Sequence, residues 1–246
     1  MFRKARFTKT TSLVIFGITL FAGSISTHAA ILLGTENLRQ IPTTNIYEID
    51  TIACTADLIS SKTNSIGSNW NFNGNAFDPE TGRFYFTSFS LSSSIPSTLF
   101  TDNLSGTQSK VGVLIGRAAN GTFYNGDYYY VAERTDDLYK VSLNADLTIS
   151  TNMKVCDITG NTASLRFGDI AFDSSGVLFG SASPGSFKVE LTSSGCAAYA
   201  PLNANFGEQI AFGEDGILYG HSASSGALYY VDTVTGAAHR LDALCL

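Results

Sequence analysis

The sequence lacks nearly every pattern by which catalytic and cofactor sites are recognised. It has no CxxC pair and no Cys/His cluster, and its histidines, His28, His221 and His239, are scattered. A zinc site is therefore not expected. No G-x-G-x-x-G, Walker or G-x-S-x-G sequence occurs, which removes the usual nucleotide folds and the nucleophile elbow of serine hydrolases. Sialidase-type S-x-D-x-G-x-T-W boxes are absent as well. Proline is scarce, at 5 of 246 residues, and charge is low, at 15%. No amphipathic stretch of about 10–15 residues interrupts the short apolar runs, which excludes alternating helices and parallel strands.

Apolar runs of spanning length are missing too. The longest, LVIFGITLFAG (13–23), falls short of the roughly 20 residues a transmembrane helix needs. It follows MFRKARFTKTTS, with Arg3, Lys4, Arg6 and Lys9 and no acid, and it precedes the small residues SISTHAA. That order is the one found in secretory signal peptides. The expected division is a signal peptide over 1–29 and a single domain over 30–246, starting at Ala30 or Ile31. The expected location is secreted, periplasmic or on the cell surface, with no membrane insertion after the signal is removed. Without those four basic residues the chain keeps 11 Lys and Arg against 21 acids, a net charge of −10. A nucleic-acid partner, which requires a basic footprint, is excluded on that balance. All four cysteines, Cys54, Cys156, Cys196 and Cys245, lie in the part expected to be exported, where disulfides are the default.

What the chain has in abundance is repetition. GDIAFDSSGVLFG (168–180) returns as EQIAFGEDGILYG (208–220), with variants NAFDPETGRFYFTS (75–88) and GTFYNGDYYYVAE (121–133). ILLGT (31–35) matches only the second half. Each copy is followed by a line such as DLYKVS or ALYYVD, whose ring position falls at Tyr47, Phe100, Tyr139, Phe187 and Tyr229. The intervals are 53, 39, 48 and 42 residues. Two apolar strands joined by Asp-x-x-Gly, a third strand alternating with period two and a weaker fourth make a small antiparallel meander. Repeats of this length and content describe propeller blades. The fold expected is all-β, a five-bladed β-propeller with an incomplete N-terminal blade beginning at its second strand; a four-bladed ring with an extra hairpin stack is the alternative. Phe77, Phe123, Phe172 and Phe212 on first strands, and Tyr85, Tyr129, Phe179 and Tyr219 on second strands, are expected to pack between blades.

The IAF-D/G-x-D/S-G-[IV]-L-[FY]-G copies, each followed by a strand ending in Val-Asp or Val-Glu, resemble the repeats of bacterial secreted β-propellers of the NHL/YVTN-like and lactonase-like kind. The resemblance implies the fold. It leaves open binding modules, enzymes and adhesion proteins, because propellers serve all three.

Loops entering first strands and loops joining second to third strands share one propeller face around the channel. On that face the candidate ligand-binding residues are Trp70, Asn71, Asn73, Arg117, Asn120, Arg166, Asp169, Glu208, Gln209 and His221. The only tryptophan, Trp70, stands among Asn69, Asn71, Asn73 and Asn75, a combination of one apolar ring face and several amides that suits a sugar. The leading expectation is a monomeric, non-catalytic module with no cofactor, binding an extracellular small molecule, glycan or protein. Two alternatives stay open. One is a lactonase- or esterase-like hydrolase in which Asp169 and Glu208, with Asn73, Asn75 and Asn120, hold calcium or another divalent cation that activates water. Against it, these carboxylates can equally solvate a channel rim or accept backbone amides. The other alternative is a structural adhesion protein.

Repeat position also pairs the cysteines. Cys54 and Cys196 begin fourth strands; Cys156 and Cys245 end them. Only Cys156–Cys196 and Cys54–Cys245 join neighbouring blades, the second pair across the ends of the ring.

Overall fold

The computed structural model describes residues 12–17, 31–37, 43–51, 53, 55–63, 71–89, 95–105, 107–118, 120–133, 135–158, 168–181, 186–197, 200–202, 209–222 and 225–241. These residues form strands and turns, with no helix among them. The first sheet contains β1 (Ser12–Gly17), β2 (Ile31–Asn37), β3 (Thr43–Asp50) and β4 (Thr55–Thr63). The second contains β5 (Asn71–Asp78), β6 (Arg83–Phe89), β7 (Thr98–Asp102) and β8 (Gln108–Val113). The third contains β9 (Thr122–Tyr124), β10 (Asp127–Ala132), β11 (Asp137–Leu143) and β12 (Ile149–Asp157). In the fourth, β13 (Asp169–Phe172), β14 (Val177–Ser181) and β15 (Ser186–Thr192) are followed by β16 (Gly195–Cys196) and β17 (Ala200–Leu202), which both pair with β15. The fifth contains β18 (Gln209–Phe212), β19 (Leu218–His221), β20 (Leu228–Val231) and β21 (Ala238–Arg240).

Every sheet is an antiparallel meander in chain order. The innermost strands touch in the sequence β1, β5, β9, β13, β18 and back to β1, which closes a ring of five blades. The strands recognised by repetition begin in the first blade at β2. Its inner position is taken by β1, which overlaps the apolar run 13–23 and pairs with β2 from Ser12↔Asn37 to Gly17↔Leu32.

The turns behave as their residues dictate. Asp173 Oδ1 accepts the amides of Ser175 and Val177, both at 2.9 Å, and Gly176 adopts φ +91°, which a side chain would resist. The blade contacts are those expected of the repeat. Three of the four second-strand rings meet the first-strand Phe of the next blade: Tyr85 and Phe123 at 4.6 Å between centroids, Tyr129 and Phe172 at 4.9 Å, Phe179 and Phe212 at 5.4 Å. In the first blade Leu33 holds the ring's place and packs with Phe77, Phe84 and Phe86 of the second. The core is therefore a series of seams running around the ring.

Cys156 in β12 and Cys196 in β16 are disulfide-bonded with their Cα atoms 5.8 Å apart, tying the outer strands of the third and fourth blades. Cys54 and Cys245 lie outside the described residues.

Candidate functional site: the channel rim

Register brings five of the candidate residues to one level of the ring. Asp169 pairs with Ser181, Gln209 with His221 and Asn73 with Thr87. Asn120 precedes Thr122, the partner of Tyr129, by the same two residues that separate Asp169 from Ala171, the partner of Phe179. On each second strand the opposing residue stands two beyond the seam ring: Thr87 after Tyr85, Ser181 after Phe179, His221 after Tyr219. Thr35 of β2 is its counterpart in the first blade, two beyond Leu33. Thr35, Thr87, Asn120, Asp169, Ser181 and His221 are all buried.

Burial at this level is matched by hydrogen bonds from blade to blade. Asn75 Nδ2 donates to Thr35 Oγ1 at 3.2 Å, joining the second blade to the first. The Tyr128 hydroxyl donates to Gly74 O, joining the third to the second. Asn120 Nδ2 donates to Gly168 O at 3.4 Å, while its Oδ1 accepts the Val131 amide at 2.8 Å. Asp169 Oδ2 accepts the Ile210 amide of the fifth blade at 3.2 Å, and its carboxyl also accepts from Ile170 and from Gly121 of the third blade. Its own amide donates to Ser181 Oγ at 3.1 Å. One side chain thus fastens three blades.

Burial pushes the Asp169 carboxyl up to about 8, against the lowering effect of those amides. Desolvation outweighs the peptide dipoles that favour the ionised form. The same cause raises the Tyr128 hydroxyl well above its ordinary value.

The remaining candidates divide. Arg117 forms an ion pair with Glu133, and their side chains are only 10% and 6% exposed. Gln209 is half-buried at the start of β18, opposite the buried His221. Asn71 opens β5 opposite Phe89. Trp70, Arg166 and Glu208 lie outside the described residues. Among the described residues no group of three or more His, Cys, Asp and Glu side chains could hold a metal ion. Of the proposed oxygen ligands, Asp169 and Asn120 make hydrogen bonds across the seams.

Sequence reasoning singled out Asn120, Asp169 and His221 but missed Thr35, Thr87, Tyr128, Ser181 and Glu133. For Thr35, Thr87 and Ser181 the signal was present, since each lies two residues beyond a seam position. Tyr128 and Glu133 carry no repeat signature.

No family model matches the chain, and no curated protein sequence matches it significantly. Solved structures do. A luciferin-regenerating enzyme aligns over 92% of this chain and 76% of its own, with a TM-score of 0.58 and 15% identity. Nidogen, in a nidogen/laminin complex, aligns over 93% and 79%, with a TM-score of 0.59 and 12% identity. A gluconolactonase from Xanthomonas campestris aligns over 94% and 76%, with a TM-score of 0.54 and 11% identity. At such identities the likeness is one of fold: the chain is a five-bladed β-propeller, similar in architecture to lactonase-like and other propellers.

Proposed function

We propose that the protein is an exported, non-catalytic binding module that holds its ligand on the channel face. The observation that carries this reading is the state of Asp169. Its carboxyl is buried, has its oxygens turned to the amides of Ile170, Ile210 and Gly121, and is pushed up to about 8 by burial. Those oxygens serve the seams between blades, a structural use that calls for no catalysis. Rigid blades carrying Asn- and Ser-rich loops form a recognition platform instead. The ligand class that suits Trp70 and its flanking asparagines is carbohydrate, or another extracellular molecule with one apolar face and a polar edge. Nidogen, seen with laminin, is a propeller of similar fold engaged with a protein partner.

A second reading draws on the common level of Asn73, Asn120, Asp169 and Gln209 and on the gluconolactonase of similar fold. It makes the protein a divalent-metal-dependent lactonase or esterase, with Glu208 as a second carboxylate beside Asp169. The deciding experiment screens the purified protein against a glycan panel and against lactone and ester substrates with and without chelator. Glycan binding unaffected by chelator, with no turnover, supports the binding module. Chelator-sensitive hydrolysis overturns it.

A further inference from the structure

We propose that the inner edge of β2 is a docking slot for an extended apolar strand of a partner protein, open once residues 1–29 have been removed. The proposal rests on the export reading, because the slot is vacant only in the processed chain.

The strand that fills the slot in the full chain defines it. β1 pairs antiparallel with β2 from Ser12↔Asn37 to Gly17↔Leu32, and it touches the inner strands of both neighbouring blades, β5 and β18. On β2, Leu32 packs into the seam with the fifth blade and Leu33 into the seam with the second, and both are buried. Thr35 Oγ1 accepts Asn75 Nδ2 of the second blade at 3.2 Å. These contacts bypass β1, so they hold the walls of the slot whether or not it is occupied.

An empty slot leaves main-chain groups without partners. Alternate residues of β2 direct their N–H and C=O toward β1, and without it those groups face the gap between β5 and β18. Among the described residues no strand is spare to replace it. β5, β9, β13 and β18 each serve their own blade, and β21, the last strand, lies at the far edge of its sheet, paired with β20.

The other inner strands show what the slot accepts. Ile170, Ala171 and Phe172 of β13 are buried in succession, as are Ile210, Ala211 and Phe212 of β18. An inner strand has a blade against each face, so a donor must be apolar on both and cannot alternate with polar residues. SLVIFG (12–17) has that composition. Charge sets a second requirement. Residues 30–246 carry 11 Lys and Arg against 21 acids, and the segment that fills the slot follows Arg3, Lys4, Arg6 and Lys9 with no acid. The partner is a protein with a continuous apolar strand flanked by Lys or Arg, which joins β2 through main-chain hydrogen bonds.

The probe is a labelled peptide of residues 9–18, KTTSLVIFGI, added to exported protein whose intact mass shows that 1–29 are gone. The control peptide carries Val14→Pro and Ile15→Pro. One of two adjacent residues must donate to β2, and proline cannot. The expected result is one peptide per chain, bound at least about tenfold tighter than the control, the scale of one lost buried hydrogen bond. Binding should weaken with salt, and hydrogen-exchange protection should rise in β2 but not in β10 or β14. Equal binding of the two peptides, or no rise in β2, overturns the slot. A β2 already protected before peptide is added also overturns it, whether in a monomer or in a dimer whose second copy covers the edge. A mass that retains 1–29 overturns the vacancy by way of the export reading. A protease site placed within 18–30 of the full chain separates the two failures. After cutting, a true slot exchanges its severed strand for the labelled peptide and not for the control.

Discussion

The Asp169 carboxyl accepts the Ile210 amide at 3.2 Å across the seam between the fourth and fifth blades. Because that carboxyl is raised from 3.8 to about 8 by burial, the folded state holds a proton that the unfolded chain releases. The sign follows from linkage. Its contribution is fully present below the ordinary carboxylate range and is lost as pH rises through about 8, with a ceiling on the order of 5 kcal/mol. The urea midpoint of the wild type is therefore expected to fall between pH 5 and pH 9. Asp169→Asn keeps an acceptor and cannot ionise, so its midpoint should change much less over the same range. A wild-type midpoint that climbs toward pH 9, or a variant that parallels it, sinks the assignment.

The seam between the third and fourth blades rests on Tyr129 against Phe172, 4.9 Å between ring centroids at an interplanar angle of 70°. Both are buried, in one cluster with Leu138, Leu178 and Phe187. Phe172→Ala should destabilise by about 3–5 kcal/mol, the usual cost of an aromatic truncation in a packed core. A double-mutant cycle with Tyr129→Ala should return a coupling of about 0.5–1.5 kcal/mol for the edge-to-face pair. Additive losses in chemical denaturation would show that the rings merely share a cavity.

Gly180 presents a different constraint. A Cβ there would stand 2.0 Å from Cζ of Phe187, so the ring lies flat against the bare backbone. Gly180→Ala must displace a fully buried ring and is expected to cost about 1–3 kcal/mol by overpacking. A shift in thermal midpoint of less than about 2 °C would mean that Phe187 moves freely.

These seams were legible in the sequence because the repeat copies align the residues that build them. Phe77, Phe123, Phe172 and Phe212 recur at one position, and only a contact repeated at every blade boundary requires that. The Cys156–Cys196 bridge was legible for the same reason. The polar layer above the seams was read only in part. Asp169 and Asn120 stood out as polar residues before first strands, but the seam needs only a hydrogen bond at each boundary, and chemically different groups supply it. Asn75 to Thr35, Tyr128 to Gly74 and Asp169 to Ile210 share no residue pattern. The inner strand of the first blade was illegible from repetition altogether, since Ser12–Gly17 carries neither the Ala-Phe-Asp nor the turn.

That strand has a consequence for export. Processing after Ala29, the outcome expected from the order of residues 1–29, removes β1 and leaves the inner edge of β2 without its partner. Hydrogen exchange should then show lower protection in β2 for the protein spanning 30–246 than for the full chain, with β10 and β14 unchanged. Intact-mass measurement on exported protein decides which form exists. A mass that retains 1–29 makes β1 a permanent part of the ring.

Trp70 immediately precedes β5 in sequence, and Asn71, Asn73 and Asn75 of that strand carry amide donors and acceptors. The seam aromatics of the repeat are Phe and Tyr at aligned positions, so the repeat does not call for a tryptophan there. Two roles give opposite signatures on Trp70→Ala. As a plug beside the first blade, its loss should cost a few kcal/mol of stability and leave ligand affinity intact. As the apolar platform for a sugar ring, its loss should move the melting temperature little. Affinity for a glycan identified on the panel should then fall at least tenfold, the scale on which hot-spot aromatics act. The second pattern is expected, read by calorimetry and titration on the same preparation. A large loss of stability with unchanged binding would remove Trp70 from the site and leave the channel face without its apolar anchor.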